Sequence, residues 1–161
     1  MKPIILATDG SPSAAEATLQ AIELAHALAT ELVAVSVEHV TITGAGYYGY
    51  SEVYAELAKT ESDHVDATLE QARGASNEAG IACETVHATG PVAEAICSVA
   101  RKHNAQMIVI GAHGWGPVNR VLHGSVSTAV VHQAPCPVLV VPAGPELVSD
   151  RVPADRMSAV S

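Results

Sequence analysis

Residues 107–141 decide how this chain folds. They read Met107-Ile108-Val109-Ile110-Gly111, then Ala112-His113-Gly114-Trp115-Gly116-Pro117-Val118-Asn119-Arg120-Val121-Leu122-His123, then Gly124-Ser125-Val126-Ser127-Thr128, and after Pro135-Cys136-Pro137 they end in Val138-Leu139-Val140-Val141. An unbroken apolar run closed by glycine reads as a strand buried on both faces. It empties into a glycine-punctuated loop, and Gly124-Ser125 opens a helical pattern over Ser125–Gln133 that Pro135 must end. Strand, glycine loop and helix start present backbone N–H groups that lack a partner inside the helix, at the positive end of its dipole. The expectation is a phosphate seat. The chain contains no Gly-Lys-Ser/Thr, so the seat is not a P-loop. Without that lysine, hydrolysis has no obvious electrostatic helper, which points to binding more than to turnover.

Upstream, Lys2–Thr8 predicts a central strand around Ile4-Ile5-Leu6-Ala7, leaving through Thr8-Asp9-Gly10. Ser11 followed by Pro12 predicts a helix start, with Ser13 and Glu16 as an alternative capping box. That helix carries Ala14, Ala17, Ala21, Ile22, Ala25, Leu28 and Ala29 along one face. Leu32–Val37 predicts a second buried strand. The loop from Glu38 to Tyr50 holds Gly44, Gly46 and Gly49 in a formal GxGxxG, but the first of these lies several residues past Val37, so a mobile loop beside the site is expected instead of a dinucleotide fingerprint. From about Ser51 to Ala79, the spacing of Val53, Leu57, Val65, Leu69, Ala72, Ser76 and Ala79 predicts a long helix that Gly80 ends and Gly74 weakens. Ala82–His87 alternates apolar and polar, as an edge strand does, and Gly90-Pro91 then starts a helix through Val92, Ile96, Val99 and Ala100 to near Asn104.

Five strands alternating with four helices predict an α/β fold, an open parallel sheet with right-handed crossovers and helices on both faces. The wholly apolar first and fourth strands belong in the centre and the amphipathic third at an edge, which gives the order 3-2-1-4-5. The chain then reverses direction between strands one and four, where open α/β sheets bind ligands at the carboxyl ends. Asp9 and Gly111 leave the sheet on either side of that crevice. Residues 1–142 form the expected domain, and residues 143–161, with prolines and mixed charge, a flexible tail.

Gly111, two residues, Gly114, nine residues, then Gly124-Ser125 resembles the nucleotide-binding pattern of the universal stress proteins without a slip in spacing. The likeness extends over nearly the whole chain, from Thr8-Asp9-Gly10 at the end of the first strand to Pro137–Pro142 around the last. This resemblance implies a Rossmann-like fold that binds ATP or another adenine nucleotide, with Mg²⁺ as a possible companion. It implies contacts from Ala7, Thr8, Asp9, Val37, Gly111, His113, Gly114, Gly124, Ser125, Val126 and Ser127. The backbone near Val37 meets the adenine, and Asp9 meets the ribose or a metal-bound phosphate. Several residues keep a second reading. Asp9 is alternatively a capping carboxylate for the first helix. The hydroxyls of Ser125 and Ser127 add phosphate donors, or Ser125 serves only as N-cap. Arg120 neutralises phosphate charge or is a solvated loop residue.

A chain of 161 residues with 48% apolar residues suits one globular domain. Its formal charge of −9 opposes nucleic acid and anionic membranes, yet leaves room for one nucleotide held by local amides. No apolar run approaches the ~20 residues of a membrane span. Met1-Lys2-Pro3 starts no signal peptide, so a cytoplasmic location is expected. The three cysteines, Cys83, Cys97 and Cys136, show no CxxC spacing and read as inert thiols. Among eight histidines, His113, His123 and His132 match no usual zinc spacing, so no metal site is expected. Neither GxSxG nor a paired acid motif supports a hydrolase. Val138–Val141 is apolar on both faces at an expected sheet edge, which invites pairing with a second copy and hence a homodimer. The resulting reading is a cytoplasmic, adenine-nucleotide-binding stress-response regulator. A slow ATP hydrolase and a dimeric scaffold without nucleotide are the alternatives.

Overall fold

The computed structural model describes residues 1–38, 51–112 and 124–143. The glycine triplet at 44, 46 and 49, the side chain of Val53, the residues His113, Gly114, Arg120 and His123, and the tail from 144 onward lie outside the described residues. The elements are β1 (Ile4–Ala7), α1 (Pro12–Ala27), β2 (Leu32–Glu38), α2 (Ser51–Glu78), β3 (Cys83–Thr89), α3 (Val92–Lys102), β4 (Met107–Gly111), α4 (Ser125–Gln133) and β5 (Val138–Val141). All four pairings are parallel, in the order β3-β2-β1-β4-β5.

The order follows from where apolar side chains go. Ile4, Ile5 and Leu6 of β1 and Ile108 and Val109 of β4 have no exposed surface at all. Each such side chain contributes about 1.5–3 kcal/mol when fully buried, so both strands need helices above and below. On one face, Ala17, Ala21 and Ala25 of α1 and Val65, Leu69 and Ala72 of α2 cover Ile4, Leu6, Leu32, Ala34 and Val109. On the other, Ile96, Cys97 and Ala100 of α3 and Val130 of α4 cover Ile5, Ala7, Val33, Val35, Ile108 and Ile110. The alanine stripe of α1 lets that helix lie close to the sheet. β3, by contrast, alternates half-buried and exposed positions at the edge.

Ser11 is the N-cap of α1, its hydroxyl accepting the Ala14 N–H at 3.3 Å, and Pro12 follows at the first helical position. Two expectations need correction. Leu28 and Ala29 do not extend the buried face. Ala29 turns left-handed (φ 49°), and Thr30, tied through its hydroxyl to the Lys2 carbonyl at 2.9 Å, redirects the chain into β2. Leu57 lies on the predicted stripe of α2 but is 61% exposed. The 28 residues of α2 span about 42 Å, whereas the seven residues of β3 span about 23 Å. The amino-terminal part of α2 therefore overhangs the carboxyl ends of the strands, and Leu57 has no sheet beneath it.

Candidate functional site

β1 pairs with β4 through Ala7 and Ile110, so Thr8-Asp9-Gly10 and Gly111-Ala112 leave the sheet side by side. On the β1 side the turn is made by side chains. Asp9 Oδ1 accepts the Ser11 N–H at 2.9 Å, so this carboxylate steadies the N-cap residue of α1. The Thr8 hydroxyl accepts the Gly10 N–H at 3.4 Å, and His64 Nε2 of α2 lies 3.3 Å from the Asp9 carbonyl oxygen. Gly10 takes φ +76°, a left-handed turn that suits glycine, and Thr68 Oγ1 sits 3.1 Å from where a Cβ would stand.

On the β4 side the main chain does the work. Ala112 donates its N–H to the Val141 carbonyl at 2.7 Å, and its own carbonyl accepts the Gly124 N–H at 2.6 Å. The strand exit, the end of β5 and the start of α4 are thus held together by the two main-chain groups of one residue. Gly124 is the N-cap of α4 and offers no side chain. The first bond inside the helix runs from Thr128 N–H to the Gly124 carbonyl at 3.0 Å. The amides of Ser125, Val126 and Ser127 therefore have no partner within the helix, and they lie where its dipole is positive. This is the chemistry of an anion site.

The structure brings Ala7, Thr8, Asp9, Gly111, Gly124, Ser125, Val126 and Ser127 to one end of the sheet. Val37 lies two residues past the Ala7–Val35 pair, on the adjoining strand and level with Asp9. Three details differ from expectation. The Ser127 hydroxyl is buried and lies 2.9 Å from the Gly124 carbonyl and 3.2 Å from that of Ala112, so it braces the loop neck instead of facing a ligand. Ser125 is not the N-cap; it is exposed at the first helical position. Gly111 is kept small by a neighbouring helix. A Cβ there would come within 2.5 Å of Ser13 Oγ and 2.9 Å of the Ala14 nitrogen, because the start of α1 occupies that space.

Sequence reading also missed His64 and Thr68. They lie one turn apart beside the buried Val65–Leu69 stripe, so the helical period alone could have placed them facing the sheet. Ala112 left no such signal. A cavity of about 270 Å³ opens beside α4, lined by Ser127, Thr128, Val131 and His132 and by Val140 of β5. Its lining is mainly apolar, and the polar site is the crevice at the strand exits. The three thiols are unpaired, and burial first of all holds each above the ordinary cysteine range. Among the described residues no cluster of three metal-ligating side chains forms, and no helix is long and apolar enough to cross a membrane.

Fold and crevice together define a Rossmann-like α/β protein with an open end at the carboxyl side of β1 and β4. The model of the universal stress protein family matches residues 1–142. A universal stress protein of Methanocaldococcus jannaschii is 35% identical over 141 residues, covering 87% of this chain and 81% of the relative. Among solved structures, the universal stress protein UspA of Lactobacillus plantarum superposes with a TM-score of 0.76 at 26% identity, over 87% of this chain and 97% of its own. A family protein of Arabidopsis thaliana, solved with AMP bound, superposes with a TM-score of 0.64 at 20% identity, over 96% of this chain and 97% of its own. The chain belongs to the universal stress protein family.

Proposed function

We propose that this protein binds an adenine nucleotide in the crevice between the exits of β1 and β4, and acts as a cytoplasmic stress-response regulator. The observation that carries this reading is the start of α4, which no side chain caps and which Ala112 holds against the point where the sheet reverses direction. The phosphates rest on the Ser125–Ser127 amides, the ribose meets Asp9, and the base lies against the backbone at Val37. The AMP in the Arabidopsis relative supports an adenine base. ATP with Mg²⁺ is the form we expect in the cell. The domain ends at residue 142, and the remaining residues are a tail. Titration calorimetry with AMP, ADP and ATP, with and without Mg²⁺, tests the reading. Asp9→Ala is expected to weaken binding about tenfold or more, the effect of losing one charged hydrogen bond. No heat with any of the three nucleotides overturns the proposal.

The protein further acts as a homodimer joined along β5. That strand ends the sheet, Leu139 on it is 37% exposed, and Val131 on the neighbouring helix is 52% exposed. An apolar edge of this kind favours pairing with another strand. Sedimentation at micromolar concentration is expected to give twice the chain mass; a monomer rules out the dimer.

A further inference from the structure

His87, on edge strand β3, belongs to a polar cluster that joins three elements. Its Nδ1 lies 2.9 Å from Asp66 Oδ1 of α2, and its Nε2 lies 3.0 Å from Glu38 Oε2 at the end of β2. Ionised carboxylates only accept hydrogen bonds, so both ring nitrogens must carry a proton for both bonds to exist. The imidazolium satisfies that requirement, and the neutral ring can keep only one of the two bonds. The Glu38 side chain is 17% exposed and that of His87 27%, whereas Asp66 is 63% exposed. Glu38 directly follows Val37, and Asp66 sits two residues from His64, which touches the Asp9 carbonyl. One helix thereby reaches the exits of both β1 and β2.

We propose that His87 is a proton-dependent positioning residue for the base end of the crevice: its imidazolium, clasped between Glu38 and Asp66, holds the end of β2 against α2, and release of the proton loosens that end and weakens nucleotide binding. This inference rests on the nucleotide reading above. Burial alone would lower the affinity of His87 for its proton, but the bonds to Asp66 and Glu38, and their charges, outweigh it and raise the pKa above the ordinary histidine value. Glu38 from β2 and Asp66 from α2 are the charged groups that face the ring. Glu70, one turn along α2, pairs with Arg73 at 2.6 Å. Glu84 of β3 points to the opposite face of the sheet, toward His103 at 3.9 Å, and α3 packs on that face. Because the folded-state pKa is raised, the stabilisation is complete below the unfolded value of about 6.5 and is lost as pH rises through the raised value. Linkage is reciprocal, so bound nucleotide must raise the His87 pKa further.

AMP is the probe, titrated into wild-type protein and His87→Gln from pH 5.5 to 8.5. The change in ionisation of the AMP phosphate is common to both proteins and cancels in their ratio. Wild-type affinity relative to His87→Gln is expected to fall about fivefold or more between the two limits, a typical coupling between linked sites. In parallel, the His87 ring protons, followed by NMR, are expected to titrate at higher pH with AMP bound than without it. Parallel AMP profiles for the two proteins, or an unchanged ring titration, overturn the inference while leaving nucleotide binding intact. If wild-type protein binds no AMP at any pH, the nucleotide reading and this inference fall together.

Discussion

At the carboxyl end of β1 the turn is shaped by side chains, whereas at the carboxyl end of β4 it is shaped by main-chain groups and by the lack of a side chain. Thr8, Asp9, Ser11 and His64 each contribute a polar atom to the first. Ala112 contributes only its peptide N–H and C=O to the second, and Gly111 contributes room for α1. The two halves of one crevice therefore differ in what breaks them. A side-chain turn loses its bonds one at a time, but a main-chain turn fails when something pushes the backbone aside.

Gly111→Ala should have the largest effect. Its Cβ would stand 2.8 Å from the carbonyl carbon of Ser13, and backbone cannot swing away as a side-chain tip can. Overpacking of this kind costs about 1–3 kcal/mol, and we expect the upper end, a fall in melting temperature of roughly 6–10 °C for a domain of this size. Thermal denaturation checks it; a shift under 2 °C (roughly 1 kcal/mol at most) would show that α1 yields easily and that the contrast between the two exits is false.

Gly10→Ala should come next. Here the cost is conformational, about 1–2 kcal/mol for holding a residue with a Cβ in the left-handed region, with the Thr68 hydroxyl 3.1 Å away adding to it. Gly10→Asn sharpens the test, because asparagine tolerates that region and should recover part of the loss. Equal denaturant midpoints for the two variants would mean that contact with Thr68, not φ, limits the position.

Ser127→Ala should be the mildest, about 1 kcal/mol for a buried hydroxyl. The two carbonyls it braces keep other donors, Gly124 N–H on Ala112 and Thr128 N–H on Gly124. If AMP affinity drops tenfold while stability holds, the hydroxyl faces the ligand after all.

The same contrast explains how much could be read beforehand. Strand order was legible because Ile4–Ala7 and Met107–Ile110 are apolar at every position and Cys83–Thr89 is not. The start of α1 was legible because Ser11-Pro12 carries a capping chemistry written in residue identity. The extent of the buried stripe on α2 was not, since periodicity records which face of a helix is apolar and not where the sheet beneath it stops; Leu57 shows the result. Ala112 was invisible for a different reason. Every residue except proline has the N–H and C=O it uses, so its letter carries almost no trace of the task. Gly111 was read as a ligand contact, and its letter gave no sign that the start of α1 also needs the space beside it.

The bond from Gly124 N–H to the Ala112 carbonyl joins the two ends of residues 113–123 at a single point. With Ala112 and Gly124 tied directly to each other, the number of residues between them enters the closure cost only logarithmically, about 0.6 kcal/mol for each doubling. A foreign peptide grafted between His113 and His123 should therefore leave the sheet and α4 standing, which makes this stretch a natural insertion point for an epitope or a reporter.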